Sequence, residues 1–232
     1  MNFGDTWYDE HGTGDPLVLL HPGGADSRAW QANLPPLAER FRVLTPDRRG
    51  HGRTPDAGEL TFDAMARDTI AFIEAVAGGP VALAGCSDGA TVGLLVAHLR
   101  PDLVKRLAFV CGVFHHTGWL PGSIELDEEA DAFLGGWYAE VSPDGADHWP
   151  VVKAKLYTEH LTEPSLTPAE LAAIDVPTLV MIGDQDEVEI EHAVALYRGL
   201  ADAQLAIVPG TSHGLLVEKP ELCNAMLVDF FG

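Results

Sequence analysis

The sequence predicts an α/β layered fold: a mostly parallel central sheet flanked by helices, with a helical cap inserted into it. Three observations lead there. Short apolar runs of strand length are nearly continuous in hydrophobicity rather than alternating, which suits strands buried on both faces. Segments of helical period lie between them, so strand and helix signals alternate along the chain. The alternation lapses once, between Val113 and Ile174, over a stretch too long for a bare loop.

The strand-like runs are Leu17 to Leu20, Phe41 to Leu44, Val81 to Ala84, Leu107 to Cys111, Thr178 to Ile182 and Leu205 to Val208, each bounded by turn residues. Helix-period segments run from Ser27 to Arg40, Phe62 to Val76, Asp88 to Leu99, Ile190 to Leu200 and Glu218 to Phe231. The stretch without strands holds Trp119, Phe133, Trp137, Tyr138, Trp149 and Tyr157, with helices expected over Glu128 to Glu140 and Ala146 to His160. Residues 113–174 therefore read as a helical cap, and residues 1–112 with 175–232 as the core that carries it. No internal repeat, low-complexity tract or interdomain linker divides the chain.

Composition narrows the function. Among 232 residues, 14 Lys and Arg face 35 Asp and Glu, a formal net charge of −21. A field of that sign repels phosphate backbones and anionic headgroups, so neither nucleic acid nor a membrane surface is an expected partner. The expected partner is a small-molecule substrate. Cys86, Cys111 and Cys223 stand at no C-x-x-C or C-x-x-H spacing and cannot all pair, which argues against a disulfide scaffold or zinc site. No basic segment followed by an apolar run opens the chain, and no apolar window has the length of a membrane span. A cytoplasmic protein with reduced thiols is the expectation.

The most specific feature is Gly85-Cys86-Ser87-Asp88-Gly89, directly after the run Val81 to Ala84 and at the start of a helix. This is G-x-S-x-G in a strand-turn-helix context. Glycines let the chain reverse tightly and push the serine hydroxyl into the open, and the helix N-terminus favours developing negative charge. Ser87 is thus the candidate nucleophile.

A serine hydroxyl needs a base, and the base an orienting acid. Of ten histidines, His213 follows the last expected strand in a turn-rich loop, at the carboxyl end where parallel sheets place functional groups. Asp184 and Asp186 compete for the acid, both just past Thr178 to Ile182. The order nucleophile, acid, base suits one serine-triad fold among several. His21-Pro22-Gly23-Gly24 ends the first apolar run, so the amides of Gly23 and Asp88 are the candidate oxyanion donors. The neighbouring Cys86 has no basic residue beside it in sequence, which favours packing over a thiol mechanism.

These segments, together with Pro46-Asp47-Arg48-Arg49-Gly50-His51-Gly52-Arg53-Thr54, Gly183-Asp184-Gln185-Asp186 and Ser212-His213-Gly214, resemble the α/β-hydrolase fold superfamily over essentially the whole chain. The resemblance implies that Asp186 rather than Asp184 is the acid. It also implies that Gly23 supplies the first oxyanion donor, although Pro22 replaces the glycine usual there. Arg49 and His51 then belong to a structural loop. The Ser-Asp-Gly elbow is similar to that of valacyclovirase-like α-amino acid ester hydrolases, which would have Asp88 read a substrate ammonium group; the residue equally suits the cap of a helix N-terminus.

The expected activity is hydrolysis of a small carboxylic ester through an acyl-enzyme on Ser87, with Asp186 and His213 completing the triad and no cofactor or metal required. Alternatives are lactone or carbon–carbon bond hydrolysis by the same triad, or a catalytically silent ligand-binding protein on the same scaffold. Asp88, Gly24, His115 and Trp137 are the expected substrate contacts.

Overall fold

Eight strands form one sheet in the computed structural model, which describes all 232 residues. They are β1 (Asn2–Phe3), β2 (Thr6–His11), β3 (Pro16–Leu20), β4 (Arg42–Pro46), β5 (Val81–Cys86), β6 (Val104–Val110), β7 (Thr178–Gly183) and β8 (Ala203–Val208). Their spatial order is β1-β2-β4-β3-β5-β6-β7-β8. The first two strands pair antiparallel, and β2 runs antiparallel to β4; every other pairing is parallel.

The continuous apolar runs have a plain structural cause: successive side chains of one strand serve two different cores. Val18 and Leu20 of β3, Val81 and Leu83 of β5, and Val180 and Ile182 of β7 face one hydrophobic cluster. Leu17 and Leu19, Ala82 and Ala84, and Leu179 and Met181 face the other. Each full burial of a Leu, Val or Phe side chain stabilises the fold by about 1.5–3 kcal/mol.

On the first face, α2 (Phe62–Phe72) and α3 (Asp88–Leu99) contribute Phe62, Met65, Phe72, Val92 and Val96. The second face is closed by Trp30, by α1 (Leu34–Ala38) and by C-terminal residues including Leu227 and Phe230. Three details depart from the sequence expectations. The segment Ser27 to Arg40 is not one helix but a turn at Ser27–Trp30 followed by α1, because Pro35 and Pro36 lack the N–H groups a continuous helix would need. Strand β6 begins at Val104, ahead of Leu107. The N-terminal hairpin β1–β2 was not anticipated: β2, Thr-Trp-Tyr-Asp-Glu-His, is half-buried throughout and carries no apolar run.

Between β6 and β7 the chain adds no strand to the sheet and instead forms α4 (Glu128–Val141), α5 (Trp149–His160) and α6 (Pro168–Ala172). Leu60, Tyr138, Trp149, Val152 and Leu156 make a small separate cluster beneath α4 and α5. After β7 come α7 (Ile190–Gly199), then β8, α8 (Leu215–Glu218) and α9 (Pro220–Phe231). The expected helix Glu218 to Phe231 is split where Pro220 opens α9. No helix is long and apolar enough to cross a membrane.

Candidate active site

Parallel strands bring their carboxyl ends to one edge of the sheet, and there the loops after β3, β5, β7 and β8 converge. Ser87 follows β5 with φ 54° and ψ −120°, a conformation that costs a non-glycine residue about 1–3 kcal/mol. Its N–H donates to the Val110 carbonyl at 2.8 Å, while its own carbonyl accepts from Ala90 and starts α3. The flanking glycines are steric necessities. A Cβ on Gly85 would lie 2.0 Å from the Gly89 carbonyl oxygen, and one on Gly89 would lie 2.2 Å from that of Leu20.

Ser87 Oγ lies 2.9 Å from His213 Nε2, and His213 Nδ1 lies 2.7 Å from Asp186 Oδ1. Asp186 is buried and further held by the N–H of Val188 at 3.1 Å. Burial opposes a charged imidazole at His213, but the hydrogen bond and negative charge of Asp186 outweigh it and raise the pKa above the ordinary histidine value. Burial likewise opposes ionisation of Asp186, yet its bonds to His213 and the Cys111 thiol hold it below its usual value. Asp184 does something else: its Oδ1 accepts from the N–H groups of Gly210 and Thr211, which pins the loop that carries His213. The Cys86 thiol is pushed up to about 12, first by burial and then by nearby carboxylates, so it is protonated and inert at neutral pH.

The His21–Gly24 loop passes over the elbow. The Gly23 N–H makes no backbone hydrogen bond, and Asp88, first residue of α3, has no intrahelical acceptor for its N–H. Gly23 packs so tightly on the Asp88 carboxylate that a Cβ there would lie 2.0 Å from Oδ2. The loop is anchored from the segment after β4. The Arg48 N–H donates to His21 Nε2 at 2.9 Å, and the buried Arg48 guanidinium donates to the carbonyls of His21 and Pro22. Asp47 accepts from the N–H groups of Ser27 and Arg53. Arg49 pairs with Asp68 on the exterior side, and His51 is fully buried against the Arg49 carbonyl.

Two cavities meet at Gly23 and Leu134. One, about 340 Å³, is lined by Gly23, Gly24, Leu134 and the α5 residues Trp149, Lys153 and His160. The other, about 350 Å³, is lined by His213, Cys86, Trp30, Phe133 and Trp137 among others. Gly24 and Trp137 therefore sit on cavity walls, the latter with the Arg28 guanidinium 4.8 Å over its ring.

The other two expected contacts are corrected. His115 lines neither cavity: its Nδ1 caps the short turn at His116–Gly118 by accepting from the Thr117 N–H, and its ring stacks on His116. The Asp88 side chain also lines neither cavity. It is 1% exposed, with Oδ1 bonded to His160 Nε2 at 2.7 Å and Oδ2 unpartnered but buried, so neither oxygen is open to a substrate ammonium group in either cavity.

That partner, with Glu159 and Arg48, was missed from sequence. His160 ends α5 on the same stripe as Trp149, Lys153 and Leu156, at spacings of 4, 7 and 11 residues along one helix face. Two polar residues in an otherwise apolar stripe were the available signal. Two groups of side chains have metal-binding atoms close together, Cys111 with Asp186 and His213, and Asp88 with Glu159 and His160. In both, the carboxylate and imidazole already satisfy one another, and a cation between them would have to break that bond.

Comparison with known proteins agrees with this architecture. The chain is 38% identical to an (E)-2-((N-methylformamido)methylene)succinate hydrolase of Acinetobacter baylyi, over 94% of this chain and 90% of that protein. It is 28% identical to a 2-hydroxy-6-oxo-6-(2'-aminophenyl)hexa-2,4-dienoic acid hydrolase of Metapseudomonas resinovorans, over 96% and 86% respectively. Among solved structures, a serine hydrolase involved in carbazole degradation superposes with a TM-score of 0.82 at 27% identity, covering 97% of this chain and 93% of that one. An enol-lactonase from Burkholderia xenovorans shares the fold at a TM-score of 0.77 and 22% identity, covering 97% and 95%. A family model described as the alpha/beta hydrolase family matches residues 17–226. With that match spanning nearly the whole sheet and the helices that flank it, the chain belongs to the alpha/beta hydrolase family.

Proposed function

We propose that this protein is a serine hydrolase that cleaves a small carboxylic ester or related acyl bond through an acyl-enzyme on Ser87. The observation that carries the reading is the unbroken chain Ser87 Oγ, His213 Nε2, His213 Nδ1, Asp186 Oδ1, at 2.9 and 2.7 Å. His213 accepts the hydroxyl proton as Ser87 attacks and returns it to the leaving group, while Asp186 holds the imidazole orientation and stabilises its cation. The amides of Gly23 and Asp88 receive the oxyanion. Water then attacks the acyl-enzyme with the same base. The inserted helices act as a cap that walls both cavities and limits water around the reacting carbonyl.

The leaving group must lie near His213 Nε2 to take its proton, which assigns it to the cavity that His213 lines. The acyl portion then occupies the cavity on the other side of Gly23. A lactone or a carbon–carbon bond next to a carbonyl presents the same electrophile to the same residues. Hydrolysis of such a bond by the same triad is the second reading.

Covalent labelling with a fluorophosphonate, followed by peptide mapping, tests the proposal without presuming a substrate. Labelling is expected at Ser87 and is expected to vanish in His213→Ala. Folded protein that takes no label, or takes it elsewhere, overturns the reading in favour of a ligand-binding protein.

A further inference from the structure

A second carboxylate–imidazole pair stands beside the nucleophile, and the reaction above gives it no work. Asp88 is the residue after Ser87, and His160 reaches it from the end of α5 with Nε2 2.7 Å from Oδ1. The His160 ring lies 5.7 Å from that of Trp119, which in turn lies 5.8 Å from that of His213. The imidazole is therefore fixed on one edge, while its Nδ1 has no partner within the protein and the residue forms part of the wall of the acyl-side cavity.

The charges around it give this nitrogen a direction. Arg48 is fully buried beneath the elbow, with its Nε unpartnered. Glu159, from the same helix turn as His160, has neither carboxylate oxygen hydrogen-bonded; burial, then the charges of Asp88 and Glu163, hold it protonated. Burial disfavours the cation at His160, but the charge and hydrogen bond of Asp88 outweigh that cost, against smaller opposition from His213 and Arg48. The charged neighbours of Glu159 are Arg48, Asp88 and Glu163, and Asp88 favours the protonated form of His160. At the cavity wall, Lys153 is paired with Asp131 at 2.6 Å, and Glu125 is the remaining charged group. At the buried end of the cavity the His160 Nδ1 lacks a partner, and its other nitrogen is held by Asp88, whose charge favours the protonated ring.

We propose that His160, anchored by Asp88, is the carboxylate-binding residue of the 340 Å³ cavity, so that acyl groups transferred to Ser87 carry an anionic carboxylate at their far end. The substrate class follows: monoesters or related acyl derivatives of short dicarboxylic acids. The assignment to the acyl portion rests on the serine hydrolase reading. Carboxylate binding by His160 itself does not.

Titration calorimetry of adipate and hexanoate into Ser87→Ala protein separates the two questions, since the ligands differ by one carboxylate and no turnover is involved. Adipate is expected to bind at least tenfold tighter near pH 6. The gap should shrink as pH rises through the His160 titration and disappear in Ser87→Ala/His160→Gln. Where that variant fails to fold, adding Asp88→Asn removes the orphaned charge and gives the same comparison. Equal binding of the two acids to Ser87→Ala overturns the proposal, and so does a gap that survives removal of His160, which would assign the carboxylate to Lys153. With active protein, 4-nitrophenyl adipate is expected to exceed 4-nitrophenyl hexanoate in kcat/KM by a similar factor. Loss of that preference with Ser87 still labelled counts against His160 alone, whereas absence of labelling counts against the hydrolase reading alone.

Discussion

Asp186–His213 and Asp88–His160 are chemically the same pair, each with a buried carboxylate oxygen 2.7 Å from an imidazole nitrogen and each with the histidine pKa raised against burial. What separates them is the second nitrogen and the stiffness of the acid. His213 turns its free nitrogen to Ser87, whereas the second nitrogen of His160 has no partner and the residue lines a cavity. Asp186 is clamped by backbone N–H groups and a thiol, and both members of its pair come from loops of one sheet. Asp88 has an unpartnered Oδ2 and a partner borne on the inserted helices. A carboxylate–imidazole pair thus has no fixed chemistry. A hydroxyl in front of it makes a base, and open space in front of it makes a binding group.

The largest test of the contrast is at the acids themselves. Asp186→Asn should lower kcat by about 10⁴-fold, because the amide no longer fixes the tautomer that accepts the serine proton. Asp184→Ala should leave kcat within a few-fold and cost about 1 kcal/mol of stability, since the Gly210 and Thr211 N–H groups lose an acceptor. Steady-state kinetics with urea unfolding of both variants checks this pair of outcomes. A large kcat loss in Asp184→Ala with little in Asp186→Asn would reverse the roles.

A smaller effect is expected where the two pairs come closest to sharing a residue. Gly23 is a proposed oxyanion donor and also packs on Asp88, where a methyl group would lie 2.0 Å from Oδ2. Gly23→Ala must therefore move either the loop or the carboxylate. About 10²-fold in kcat is the expected loss, the scale for a misplaced oxyanion donor. The variant should also loosen the Asp88–His160 contact, which a histidine NMR titration reads as a fall in the His160 pKa with His213 unmoved. Retention of full activity would remove Gly23 from the oxyanion hole.

How much of this was legible in the sequence depends on whether the constraint is local. Ser87 was readable because Gly85 and Gly89 are demanded by atoms a few residues away or on the adjoining strand, and that demand leaves a five-residue signature. The buried strands were readable because one run such as Leu17 to Leu20 feeds two cores and so has no polar face. Strand β2 was not readable, because a strand half-buried along its whole length, beside the two-residue edge strand β1, has no such need. The choice of His213 over nine other histidines was possible from its place in a turn-rich loop after the last expected strand. His160 had no such marker, since its partner lies 72 residues away and their meeting depends on how α5 docks on the elbow. His115 was misassigned for the related reason that position at a strand end does not say which way a side chain turns; a local turn had claimed it.

The smallest expected effect concerns the third member of the second pair, for which the first has no counterpart. Glu159 is 6% exposed with both oxygens unpartnered, and burial, then Asp88, hold its pKa far above the usual carboxylate value. In the unfolded chain the same group ionises near its ordinary value. Between those two pKa values the native state keeps a proton that the unfolded state has lost, so this residue lowers stability progressively as pH rises, by up to roughly 1 kcal/mol per pH unit. Glu159→Gln keeps the shape and removes the titration. The variant should match the native protein in urea midpoint near pH 5 and exceed it near pH 8. An equal difference at both pH values would mean that Glu159 is ionised in the fold. A second negative charge would then stand beside Asp88 and His160 and oppose binding of an anionic carboxylate there.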